Sequence, residues 1–86
     1  MSILNFSHIH TKSELMDTLE VFFGLPNFWG RNWDAFGDCI ADREFSTLPS
    51  QVQIIGLETL RKNFGEDAQI LEEILDENSI KYTLLR

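Results

Sequence analysis

The chain has a single cysteine, Cys39, among its 86 residues. An internal disulfide is therefore excluded, and a reducing cytoplasm is the expected setting. Long apolar runs are missing too, none approaching the roughly 20 residues that span a bilayer. The opening stretch MSILNFSHIH lacks the basic segment and long apolar segment of a secretory signal. Basic residues are scarce, seven against fourteen acidic ones, for a net charge of −7. Such a chain repels nucleic acid and anionic membranes and attracts basic partners. Chemistry-bearing motifs are also wanting. There is no glycine-rich phosphate loop, serine elbow or His/acid pairing, and no histidine lies near Cys39 in sequence to make it a nucleophile. His8, His10 and the aspartates match no recognised metal-ligand spacing. Neither an enzyme nor a metal or cofactor site is expected.

What is present suffices for one folded domain. Hydrophobic residues make up 43 % of the chain, an ordinary globular share, and a domain this small has a stability of about 5–10 kcal/mol. No repeat, low-complexity segment or linker divides it. Ile3 to Phe6 reads as a buried strand, followed by a polar turn over Ser7 to His10. Thr11 and Glu14 form a capping box that opens a helix burying Leu15, Leu19, Phe22 and Phe23. Gly24 stops that helix and Pro26 prevents its resumption. A loop over residues 43–50 leads to a second strand, Val52 to Ile55, bounded by Ser50 and Gly56. A helix from Leu57 to Phe64 is expected to end at Gly65. A further helix, Glu66 to Glu77, carries Ile70, Leu71, Ile74 and Leu75 as its core stripe, with Asn78 as its left-handed cap. Tyr82 to Leu85 form the last strand. Strands joined through helices pair in parallel with right-handed crossovers, so the expected fold is α/β, a small three-stranded parallel sheet packed with about four helices.

The chain is organised around residues 25–42, LPNFWGRNWDAFGDCIAD. Leu25-Pro26, Phe28, Trp29 and Gly30 make an aromatic loop, and Asn32 caps the helix that follows. Phe36, Cys39 and Ile40 fall on one face of that helix with Trp33 beside them, while Asp34, Asp38 and Asp42 recur every four residues on another. A solvated helix face is the bland explanation for three such acids. Against it, Asp38 and Asp42 lie beyond the first turn, where the helix dipole no longer favours acid, and like charges four apart repel by about a few tenths of a kcal/mol. Aromatics beside charge are typical of binding hot spots. Gly37, in mid-helix, costs about 1 kcal/mol relative to alanine and either has drifted there or leaves a notch for a partner's side chain. Cys39 reads as a small buried apolar residue. A second acidic concentration lies between Glu66 and Ser79, with six carboxylates and no base.

LPNFWGRNWDAFGDC resembles the signature of the barstar family, small intracellular inhibitors of secreted bacterial ribonucleases. The shared pattern is L-P, two aromatics, G-x-N and D-A-x-x-D-C; elsewhere the similarity is one of layout and length. The resemblance implies the same parallel α/β fold and a 1:1 complex between an otherwise monomeric inhibitor and a basic ribonuclease toxin. It implies that Asp38 enters the catalytic pocket and accepts from its arginines and histidine, and that Asp34 pairs with a second base. Asn32 and the Gly30 backbone would bond the rim, Phe28 and Trp33 would supply apolar contact, Gly37 and Asp42 would lie in the interface, and Asp76 would be a peripheral acidic contact. Trp29, beside the acidic row, is expected in the same contact surface from its position alone. The chain departs from the family pattern at four interface positions. Gly37 replaces a large aromatic, Arg31 an acid, Phe28 a tyrosine and Asp42 a glycine. Arg31 implies an acidic rim residue on the partner. The competing expectation is an acidic adaptor that docks a basic protein other than a nuclease.

Overall fold

A computed structural model describes residues 3–42 and 51–85; the expected loop over residues 43–50 lies outside them. The elements run β1 (Ile3–Asn5), α1 (Lys12–Phe23), α2 (Trp33–Ala41), β2 (Gln51–Ile55), α3 (Leu57–Asn63), α4 (Gly65–Glu77) and β3 (Lys81–Leu85). The three strands form one parallel sheet in the order β1-β2-β3. This is the α/β arrangement that the alternation of strand and helix patterns predicts.

Register decides which side chains go inward. Leu4, Ile54 and Leu84 are aligned across the sheet, with Val52 opposite Tyr82 on the same face, because strand side chains alternate with a period of two. Leu4, Val52 and Ile54 are buried in one cluster with Leu15, Leu19 and Phe23 of α1, Phe36 and Ile40 of α2, and Leu71 and Leu75 of α4. Ile3, Asn5, Gln51, Lys81 and Thr83, which alternate with them, are exposed, and so is Leu84 on the edge strand β3. Phe36 is the hub of the aromatic packing, its ring centroid 5.3 Å from Phe23, 5.6 Å from Trp33 and 6.4 Å from Trp29, each edge-on. Truncating a fully buried phenylalanine costs about 3–5 kcal/mol, a large part of a small domain's stability.

The helix ends follow local chemistry. Glu14 N–H donates to Thr11 Oγ1 at 3.1 Å, while the Glu14 carboxylate accepts from the backbone N–H of His10 at 3.0 Å, one residue earlier than in the usual capping box. Gly24 closes α1 with φ of 64°, and Leu25 N–H donates to Glu20 O at 3.0 Å. Four expectations need correction. Gly65 opens α4 instead of ending α3, because Phe64 makes the turn by itself: its N–H closes α3 on Leu60 O, and its carbonyl accepts from Ala68 N–H. The left-handed residue after α4 is Ser79, φ 59°, not Asn78. Ile80 N–H to Leu75 O and Ser79 N–H to Asp76 O complete that cap. Phe22, Ile70 and Ile74 are half-buried, Phe22 and Ile74 packing against the core from its margin.

Side-chain bonds tie the helices together. Trp33 Nε1 donates to Asp67 Oδ1 at 2.7 Å, joining α2 to α4, and Lys12 reaches the same oxygen at 2.5 Å. Glu72 accepts from Arg61 at 2.5 Å and from the Tyr82 hydroxyl at 3.1 Å, linking α3, α4 and β3. Among the described residues no buried side-chain polar atom lacks a partner.

Candidate protein-binding site

The loop before α2 has an unusual backbone, and its sequence explains how it is held. Gly30 and Arg31 both have positive φ, 92° and 54°. A side chain is strained there, so glycine suits the first position. Asn32 then caps α2 through Oδ1, which accepts from Ala35 N–H at 2.8 Å, while its amide donates to Gly30 O at 3.2 Å. One asparagine thus fixes both the helix start and the loop that enters it. Trp29 N–H closes a turn on Pro26 O at 3.1 Å.

The two loop aromatics part company. Phe28 is 75 % exposed, whereas Trp29 is 3 % exposed, its indole donating to Glu20 Oε1 at 2.8 Å. Expected as a surface contact, Trp29 instead supports the loop from beneath, because α1 supplies a carboxylate for its N–H. Arg31 also differs from expectation. Its guanidinium pairs with Asp17 at 2.7 Å, lies 3.5 Å from Glu20 and donates to Ser13 O at 3.1 Å. The charge that implied an acidic residue on a partner is engaged within the chain.

On α2, Asp34, Asp38 and Asp42 are all exposed while Phe36, Cys39 and Ile40 are buried, as the helical spacing predicts. Asp34 and Asp38 have no basic partner among the described residues. Their side of the helix is electronegative enough to act on its neighbour. The Cys39 thiol is held above its ordinary pKa, first by burial and then by the charges of Asp38 and Asp42.

Asp38 stands on a ridge between two hollows. One, of about 190 Å³, is bordered by Phe28, Trp29, Ala35, Cys39 and Asp42. The other, of about 440 Å³, is a groove between α2 and α4, with Asp34, Gly37 and Glu77 at its edges and Ile70 and Ile74 along its floor. Gly37 lines that groove. Its backbone is ordinary helix, and a Cβ built there would meet only Ile74 Cδ1, at 3.9 Å. Folding therefore does not require glycine at this position.

The structure brings together Phe28, Asn32, Asp34, Gly37, Asp38 and Asp42 around α2, with Trp29 and Trp33 as their supports. Asp76 is placed elsewhere, in a separate depression with Lys81 and Tyr82. The α4 carboxylate that borders the groove is Glu77, one residue on and so about 100° round the helix. Ile70, Ile74 and Glu77, spaced by four and three, already share a helix face in the sequence. That was the available signal for them. Among the described residues no cluster of His, Cys, Asp and Glu is arranged to hold a metal, and no helix is long and apolar enough to cross a membrane.

These features define a small parallel α/β domain that presents the carboxylates of one helix and the exposed Phe28 of the preceding loop beside two hollows. One family model, described as Barstar (barnase inhibitor), matches residues 1–84, and the chain belongs to the barstar family. Members of this family are inhibitors rather than enzymes. No curated protein matches the chain.

Proposed function

We propose that the protein inhibits a basic bacterial ribonuclease by lodging α2 and the preceding loop in its RNA-binding cleft. The observation that carries this reading is the position of Asp38, exposed on a ridge between two hollows, with neither it nor Asp34 neutralised by a base among the described residues. A ribonuclease must hold phosphates with cationic groups, and a carboxylate on a rigid helix occupies the same place as a phosphate. Asp38 is the central mimic, flanked by Asp34 and Asp42. Gly30 and Asn32 offer rim hydrogen bonds, and Phe28 offers the exposed apolar contact. The Gly37 groove receives part of a partner side chain between Asp34 and Glu77, while Trp33 holds α2 against α4 and Asp76 stays peripheral. The complex is 1:1, formed in the cytoplasm by a free inhibitor that is monomeric.

The test is capture at low salt from the producing organism's lysate and culture medium, with wild type beside Asp38→Ala. A basic partner held only by wild type, whose RNA cleavage stops on binding, supports the reading. A partner held equally by both proteins, or one without nuclease activity, contradicts it and favours the acidic adaptor.

A further inference from the structure

Helix α1 takes no part in the acidic face, yet three of its groups converge on the loop that precedes α2. Ser13, Asp17 and Glu20 are spaced by four and three, one stripe of the helix. Arg31 donates to the Ser13 carbonyl at 3.1 Å and pairs with Asp17 at 2.7 Å. The Glu20 carboxylate accepts the Trp29 indole N–H at 2.8 Å and lies 3.5 Å from Arg31. Glu20 therefore holds both ends of the segment Trp29-Gly30-Arg31. That segment contains two consecutive positive φ values, 92° and 54°. The second, on a residue with a side chain, is a conformation that surrounding contacts must maintain. Glu20 also sits in the last turn of α1, where no base accompanies it and the helix dipole disfavours an acid. Helix formation gives no reason for a carboxylate at this position; the loop does.

From this we infer that Glu20 is a positioning residue, a latch that pre-forms the binding loop. Phe28 and the Gly30 backbone are presented on the two sides of Trp29, so their placement depends on the indole staying seated. A loop already in its bound shape avoids the ordering cost of association. The inference concerns the free protein and rests on the proposed ribonuclease inhibition only for its consequence.

Wild type, Glu20→Gln, Glu20→Ala and Trp29→Phe are compared in two measurements. Glutamine retains an acceptor for the indole, and phenylalanine keeps a buried ring without a donor. The first measurement is native-state amide hydrogen exchange of the free proteins. Glu20→Ala and Trp29→Phe are expected to speed exchange of the loop amide at residue 29, which donates to Pro26 O at 3.1 Å, about tenfold, leaving β2 and α4 unchanged, with Glu20→Gln close to wild type. The second is inhibition of barnase, in which Glu20→Ala is expected to lose about fivefold and Glu20→Gln to recover most of it. Unchanged loop exchange in Glu20→Ala overturns the latch. So does faster loop exchange with inhibition equal to that of an active wild type, and so does a general rise in exchange across β2 and α4. Faster loop exchange beside a wild type that inhibits neither barnase nor a ribonuclease captured from the producing organism leaves the latch standing and refutes the proposed function instead.

Discussion

Gly37→Ala separates what the fold needs from what the site needs. The residue lies inside α2 with helical backbone, and the added methyl group would rest 3.9 Å from Ile74 Cδ1, an ordinary contact. No clash opposes the gain in helix propensity, so the domain should become more stable by about 0.5–1 kcal/mol. With an m-value of about 1 kcal/mol/M for a domain this small, the urea midpoint rises by about 0.5–1 M, and the thermal midpoint by roughly 3–6 °C. Far-ultraviolet circular dichroism read along a urea series measures this directly. The same methyl group takes space from the groove between α2 and α4, so inhibition of the partner ribonuclease should weaken about fivefold. More stable and less active is the signature of a glycine kept for binding. A midpoint that falls at constant m would show that α2 depends on glycine for its own packing. Greater stability with undiminished inhibition would remove the groove from the interface.

Gly56→Ala should do the opposite. With φ at 80°, a Cβ there would come within 2.5 Å of Ser7 N and 2.9 Å of Phe6 C. Backbone must move at the end of β1, and a loss of about 3 kcal/mol or more in urea unfolding is expected from strain and disturbed packing. Trp33→Phe removes the 2.7 Å bond to Asp67 while Lys12 keeps that carboxylate paired, so calorimetry should show a loss of about 1–2 kcal/mol. The Tyr82 hydroxyl is held above its ordinary pKa of 10.0, first by burial and then by its bond to Glu72. The unfolded chain therefore loses this proton first. The associated stability is present below the unfolded value and is lost as pH rises through the folded one. Alkaline unfolding curves of Tyr82→Phe should lack that decline.

Much of the architecture was legible because local signals agreed. Gly24, the Asn32 cap and the four-residue spacing of Leu15, Leu19 and Phe23 each act within a few residues, and each is found in place. Thr11 caps α1, while the Glu14 carboxylate takes the His10 N–H instead of that of Thr11. The misreadings share another cause. Glycine both stops helices and opens them, so Gly65 could be assigned to either side of the turn until Phe64 showed how it is made. Asn78 has the side chain that favours a left-handed cap, but Schellman geometry falls one residue later, on Ser79. An aromatic in a loop reads as exposed unless its distant partner is known, and nothing near Trp29 in sequence announces Glu20. The same holds for Arg31, whose partners all lie on α1. On α4, one residue of helical phase separates Asp76 from Glu77, and only the packing of α2 against α4 decides which faces the groove.

The central claim is that Asp38 carries the inhibition. The most direct measurement is a titration of barnase-catalysed RNA cleavage with wild type and Asp38→Ala, supported by circular dichroism to show that both are folded. Asp38 is exposed on its helix, so the substitution leaves the core intact. Removing one member of a buried interfacial charge pair costs about 2–5 kcal/mol, which predicts inhibition at least about thirtyfold weaker for the variant. Wild type that inhibits, beside a variant weaker by less than about fivefold, would contradict the account and place the inhibitory surface away from Asp38.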